Sequence, residues 1–172
     1  GNIFGKWNKG KNELSLSYGI SGNRCKDYEW EESADYTLSD GTIYSIIRKD
    51  FDTLEKGIRH NAKLTYNYAD STATVFNASF SANFSNNPDN YSKKNVIDGN
   101  TKYIATSLSD QNSLSPVLDL YFFRQLTPRQ SLTLNAVGTY IGSKIFSSND
   151  EGTLYKYDVN GKTYSMLSEV IY

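Results

Sequence analysis

The chain has 172 residues, with 18 basic and 19 acidic side chains mixed along it for a net charge of −1, so it is one domain in size and carries no electrostatic footprint for nucleic acid. Aromatics reach 14%, with Tyr 14 ahead of Phe 8, and the low count of Ala, Leu and Met beside a surplus of Ser, Thr, Asn and Tyr speaks against a helical protein. Cys25 stands alone, which excludes an intrachain disulfide.

In chain order, Asn2 to Trp7 reads as a short first strand ended by the polar, glycine-containing turn Asn8 to Asn12. Glu13 to Trp30 follows, with Leu14, Leu16, Tyr18 and Ile20 on one face and Ser15, Ser17, Gly19 and Ser21 on the other. Asp40-Gly41 is expected to be a hairpin tip in a type I′ turn. The chain returns through Ile46 to Tyr68, where Ala62, Leu64, Tyr66 and Tyr68 alternate with Lys63, Thr65 and Asn67. A second short turn is expected at Asp70 to Ala73. After it, Phe76, Ala78, Phe80, Ala82 and Phe84 alternate with Asn77, Ser79, Ser81 and Asn83. Asn86 to Asn100 is a polar excursion with an Asp98-Gly99 tip. Tyr103 to Leu126 comes back to the turn Thr127-Pro128-Arg129-Gln130, in which proline presets φ. In the next arm Leu132, Leu134, Ala136, Gly138 and Tyr140 share one face and Ser131, Thr133 and Asn135 the other. Ser147 to Gly152 is a polar interruption, and a third tip is expected at Asn160-Gly161 before the return from Lys162 to Tyr172.

Short turns near positions 10, 71 and 128 interleave with tips near 40, 98 and 160, a weak repeat of about 60 residues. The expected fold is all-β, an antiparallel up-and-down meander of about seven strands. Its arms of about 25 residues far exceed the five or six of an ordinary globular strand.

No apolar run approaches the roughly 20 residues of a membrane helix, and mean hydropathy is −0.58. Neither bears on a barrel strand, which shows lipid only at every second residue. The apolar band beside each short turn, as at Ala62 to Tyr68 and Phe76 to Phe84, is about nine residues long, against the 9 to 11 tilted residues that span a bilayer. Tyr18, Tyr66, Tyr68 and Tyr140 cluster at the band ends, where amphipathic rings favour a membrane interface. The opposite face is Ser, Thr, Asn, Gly and Lys, a lining suited to water, although Val117, Tyr121 and Phe123 add bulk there beside Asp119. The chain opens without an initiator Met or a signal peptide and closes inside a strand pattern, so it is expected to be a mature or excised segment, 1–172, with no plug.

The stretches Ser115-Pro116-Val117-Leu118-Asp119-Leu120-Tyr121, Gln130-Ser131-Leu132-Thr133-Leu134-Asn135 and Val137-Gly138-Thr139-Tyr140 resemble barrel repeats of TonB-dependent outer-membrane receptors. The closest group is the barrel family carrying a carboxypeptidase-like regulatory domain at its N-terminus. Asn2 to Trp7, Asn12 to Tyr18 and Lys162 to Tyr172 are similar in kind. The resemblance implies a bacterial outer-membrane location and a parent barrel of 22 strands around a plug. That parent imports a bulky nutrient with energy from a TonB-type inner-membrane complex. The chain departs from the whole pattern in having no plug, no motif for the energising partner and roughly a third of the strands. Its implied partners are outer-membrane lipid, the plug domain and the remaining strands.

No catalytic, metal or cofactor site emerges. His60 is the only histidine, which excludes histidine clusters, and it is expected to be a wall residue near the apolar band. Asp27, Glu29, Glu31, Glu32 and Asp35 form an acidic run that could hold calcium through several carboxylates, although a solvated hairpin above the membrane is the favoured reading. Gly19-Ile20-Ser21-Gly22 and Val137-Gly138-Thr139 hold hydroxyls without a base. Tyr36, Tyr44, Tyr91, Tyr103, Tyr155 and Tyr157 fall on the distal hairpins, suited to cross-strand pairing or to stacking on sugars. The sequence therefore reads as a non-enzymatic wall and extracellular-hairpin segment of an outer-membrane transporter, its substrate contacts unassigned. The alternatives are a soluble antiparallel barrel with an apolar ligand inside and a surface-exposed β adhesin.

Overall fold

A computed structural model describes residues 1–70 and 73–172. It is one antiparallel sheet of eight strands: β1 Asn2–Lys9, β2 Asn12–Lys26, β3 Glu31–Thr37, β4 Ile43–Asp70, β5 Thr74–Asp98, β6 Thr101–Thr127, β7 Gln130–Asp150 and β8 Leu154–Ile171. The order across the sheet is β1-β2-β4-β5-β6-β7-β8, and β3 also pairs with β4. Because β2 and β3 lie end to end along β4, eight strands make seven arms, the expected up-and-down meander. The sheet is open, with β1 and β8 as its edges.

The ladder converts alternation in sequence into rows across the sheet. Leu16, Leu64, Phe80, Leu118, Gly138 and Met166 stand in register, and Leu14, Tyr66, Ala78, Leu120 and Ala136 form the neighbouring row on the same face. The opposite face carries the row Ser17, Lys63, Ser81, Val117, Thr139 and Ser165. Amide and hydroxyl pairs knit that face: Asn67 donates to Glu13 at 3.2 Å, Asn135 to Glu169 at 3.0 Å, and Ser85 meets Ser113 at 2.9 Å.

The apolar face is uncovered. Leu16 is 51% exposed, Phe80 46%, Leu118 44% and Met166 79%. Total accessible surface is 12102 Å², against about 8,500 Å² for a compact protein of this mass. Among the described residues the buried side chains, Asp50, Thr53, Val96, Ala105 and Ser147, all lie in the distal halves of the arms. The described residues of the half beside the short turns include no buried side chain.

Three turn readings need correction. Asp40-Gly41 does not form a two-residue type I′ turn: Gly41 has φ +84°, Asp40 does not share it, and Leu38 N bonds Thr42 O across a three-residue loop. That is a type I turn closed by a left-handed glycine, the other common hairpin solution. Asn160-Gly161 is no tip, because both residues sit inside β8 opposite Lys144 and Ser143. The chain reverses earlier, at Glu151 to Thr153, where Gly152 has φ +85° and its N–H bonds the Asp150 carboxylate at 3.1 Å. Third, the strand expected to run to Trp30 breaks at Asp27, which takes φ +53°. The turn expected at Asp70 to Ala73 lies partly outside the described residues, at Ser71 and Thr72, and its ends are joined by Ala73 N to Asp70 O at 2.8 Å.

Candidate functional site: a polar cleft above an apolar band

The polar rows that bound the apolar face fix its height. On the short-turn side stand Asp70, Thr74 and Arg124, and on the distal side Asn86, Asn112, Lys144 and Asn160, in the row of Ile58. From Asp70 to Ile58 the strand runs roughly 40 Å. Tyrosines sit near both limits. Tyr66 donates to Asn12 at 2.6 Å at the lower edge. Nearer the upper edge the Tyr140 and Tyr164 rings lie 4.9 Å apart, and the Tyr18 hydroxyl meets His60 Nδ1 at 2.6 Å. His60 is thus a wall residue at the upper edge of the band, packed between Tyr18 and Phe84.

Just above the band a cleft of about 500 Å³ opens over β2, β4, β5 and β6, lined mainly by amides, hydroxyls and charge, including Asn23, Glu55, Arg59, Asn87, Tyr91 and Gln111. Irregular pairing creates it. The β4–β5 register shifts between Asp50 and Asp52 and between Leu54 and Ile58, and the β5–β6 register shifts between Asn87 and Asn90. Such bulges bend a strand and re-aim its side chains. Asp89, with φ +48°, forms the apex: its N–H bonds Asp110 at 2.7 Å and its carboxylate meets Lys56 Nζ at 3.0 Å. Asn90 accepts from Lys56 N at 2.7 Å, which fixes the cleft's back. At Gly57 a Cβ would collide with the Asn87 amide and lie 3.1 Å from that of Asn23, so the missing side chain lets the two amides close over β4.

Tyr28 shuts one end of the cleft from the β2–β3 link. Fully buried Thr53 pins that link: its hydroxyl accepts from Tyr28 N at 3.0 Å and donates to Tyr28 O at 3.2 Å, while Asp27 N bonds Thr53 O. Burial, with the nearby Asp50 charge, raises the Tyr28 phenol above its usual range and keeps it a neutral donor. At the next rung Asp52 accepts from Lys93 Nζ at 2.6 Å and Tyr91 OH at 3.0 Å. The Lys93 bond holds the Asp52 carboxyl below its ordinary value, and the Asp52 bond raises both Lys93 and Tyr91.

The other sequence candidates disperse. The acidic run spreads along the link and β3, with Lys49 Nζ between Glu29 at 3.8 Å and Glu31 at 4.0 Å and Asp35 accepting from Ser45. Among the described residues no group of three His, Cys, Asp or Glu side chains gathers to hold a metal. Cys25 is exposed, opposite Glu55. Gly19 to Gly22 lies within β2 and Val137 to Thr139 within β7, in regular ladder. The distal tyrosines do pair across strands, with Tyr36 facing Tyr44 and Tyr103 facing Val96. The cleft was missed in sequence, where Pro88 inside an otherwise regular arm was the available signal of a bulge.

No protein-family model matches the chain, and no curated protein matches it.

Proposed function

We propose that this chain is a wall segment of an outer-membrane β-barrel transporter, of the TonB-dependent kind. Its apolar face meets lipid, and its polar face and cleft line a path for a polar solute. The observation that carries the reading is the exposed apolar band: it runs for roughly 40 Å of strand, which at the roughly 40° tilt of barrel strands would span about the 30 Å hydrocarbon core of a bilayer, it has tyrosines near both limits, and it belongs to a sheet with open edges. A soluble barrel with an apolar ligand inside would turn the Leu64 and Phe80 rows inward, whereas here they are open. From Ile58 to Ile43 the arms continue for roughly 50 Å of strand beyond the band, which suits extracellular hairpins. The edges β1 and β8 are then where the remaining strands of a parent barrel pair, and Val117, Tyr121 and Phe123 face a plug. The cleft presents donors and acceptors without an assembled nucleophile and base, so its role is passage or binding, with transport belonging to the parent.

The test is size-exclusion chromatography with and without detergent, with circular dichroism on each peak. The reading expects a β-rich species that requires detergent, or an assembly that detergent dissociates. A sharp β-rich monomer in plain buffer would overturn it.

A further inference from the structure

Resting on that reading, we infer that the cleft above the band is a binding site for a short peptide of two or three residues with both termini free. Glu55, Lys56 and Arg59 are the charged side chains among its described lining. Lys56 is neutralised by Asp89 at 3.0 Å. Glu55 and Arg59 are both exposed, and among the described residues neither belongs to an ion pair, with each other or with any other group. Glu55, Gly57 and Arg59 take alternate positions in the regular β2–β4 ladder, opposite Cys25, Asn23 and Ser21, which puts all three on the cleft face. An anion and a cation thus share one hollow of about 500 Å³ and are held apart across a glycine.

Amides form the floor between the two charges. The Asn23 and Asn87 side chains close over Gly57 from β2 and β5 with their oxygens toward it, Asn23 Oδ1 lying 3.1 Å from where a Cβ would stand. Gln111 lies opposite Asn87 and Ser109 opposite Asn90, so β6 adds further donors and acceptors to the same wall. Glu55 and Arg59 stand four residues apart on one strand, roughly 13 Å at Cα. Two or three extended residues separate a terminal ammonium from a terminal carboxylate by roughly 7 to 10 Å, which leaves the rest to the two side chains. The Glu55 carboxylate and the two amide oxygens receive the ammonium, the Arg59 guanidinium takes the carboxylate, and Gln111 and Ser109 meet the peptide links. A neutral saccharide would satisfy the amides and hydroxyls yet leave both charges unmatched, and a metal ion would meet the Arg59 charge beside it.

The test is isothermal titration calorimetry of the full chain in a neutral detergent with trialanine, compared with N-acetyltrialanine, trialanine amide, alanine and maltotriose. The expected result is trialanine binding that weakens at least about tenfold when either terminus is blocked, the worth of one charge-assisted hydrogen bond. In Arg59→Gln, trialanine and its amide should bind alike, and in Glu55→Gln so should trialanine and its N-acetyl form. Arg59→Lys should restore part of the preference for a free carboxylate, and Lys102→Gln, on the distal hairpin, should change nothing. Blocked and free peptides that bind the unaltered chain equally would overturn the inference, as would Gln variants of native circular dichroism that still discriminate them. Alanine or maltotriose bound as tightly as trialanine would overturn it too, the first by showing a shorter site and the second a neutral-sugar site. Absence of binding by a β-rich chain that needs detergent would overturn the inference and leave the barrel reading standing. A β-rich monomer in plain buffer would overturn the barrel reading, whichever ligand it bound.

Discussion

Leu64→Arg is the sharpest perturbation of the band. Leu64 lies between Leu16 and Phe80 in the row midway between the two polar limits and is 43% exposed, so an arginine there meets no packed core. If that surface is lipid, a charge at its middle costs about 3 kcal/mol, and the cost decays to between about 0 and 1 kcal/mol at the rim. Ile58→Arg, in the row of Asn86 and Asn112, is the rim control. Thr65→Arg places the same charge at nearly the same height on the polar face, between Ser15 and Ser79. Partition of the full chain into phospholipid vesicles, followed by the emission of Trp7 and Trp30, should fall roughly a hundredfold for Leu64→Arg. It should fall less than about fivefold for the other two. Equal losses at Leu64 and Ile58, or a larger loss at Thr65, would refute the assignment of faces.

The Asp52–Lys93–Tyr91 cluster should give the distal hairpins a plateau of stability with two limbs. Asp52 stabilises the fold above its ordinary value of 3.8, and that contribution is lost as pH falls through its depressed native value. Lys93 and Tyr91 contribute below 10.5 and 10.0, and that is lost as pH rises through their raised values. Near-ultraviolet circular dichroism melts across pH should show both limbs, and Asp52→Asn should flatten them. Gly99→Ala should weaken the β5–β6 tip by about 1 to 2 kcal/mol from its left-handed backbone alone. The new methyl would also sit 2.8 Å from the Tyr44 ring, so faster thermolysin cleavage at residues 98–101 is the readout. Cys25, exposed and beyond the band on β2, should react with a membrane-impermeant maleimide in intact vesicles, and protection there would contradict the placement of the distal arms outside.

The faces were legible in sequence because a strand's period of two leaves each apolar residue only one side to occupy, as Phe76 to Phe84 shows. The turns at Gly10 and Pro128 were legible for the same local reason. Gly152 was overlooked in favour of Asn160-Gly161, although an Asp two residues before a glycine, bonding its N–H, is itself a turn signal. Asn-Gly is a frequent tip, yet Gly161 sits in regular ladder opposite Ser143, so tertiary pairing overrode the dipeptide. The cleft could not be read locally because offsets in two neighbouring ladders create it, and registry between strands is not written in any one of them.

Every inner arm of this sheet pairs with the arms that precede and follow it along the chain. No ladder waits for a distant partner, so assembly can advance one hairpin at a time, with each finished edge as the template for the next. Stability then accumulates as a nearly linear sum of hairpin terms, as in a quasi-one-dimensional stack. Damage to one ladder would shorten the sheet from that point outward and leave the strands behind it in place.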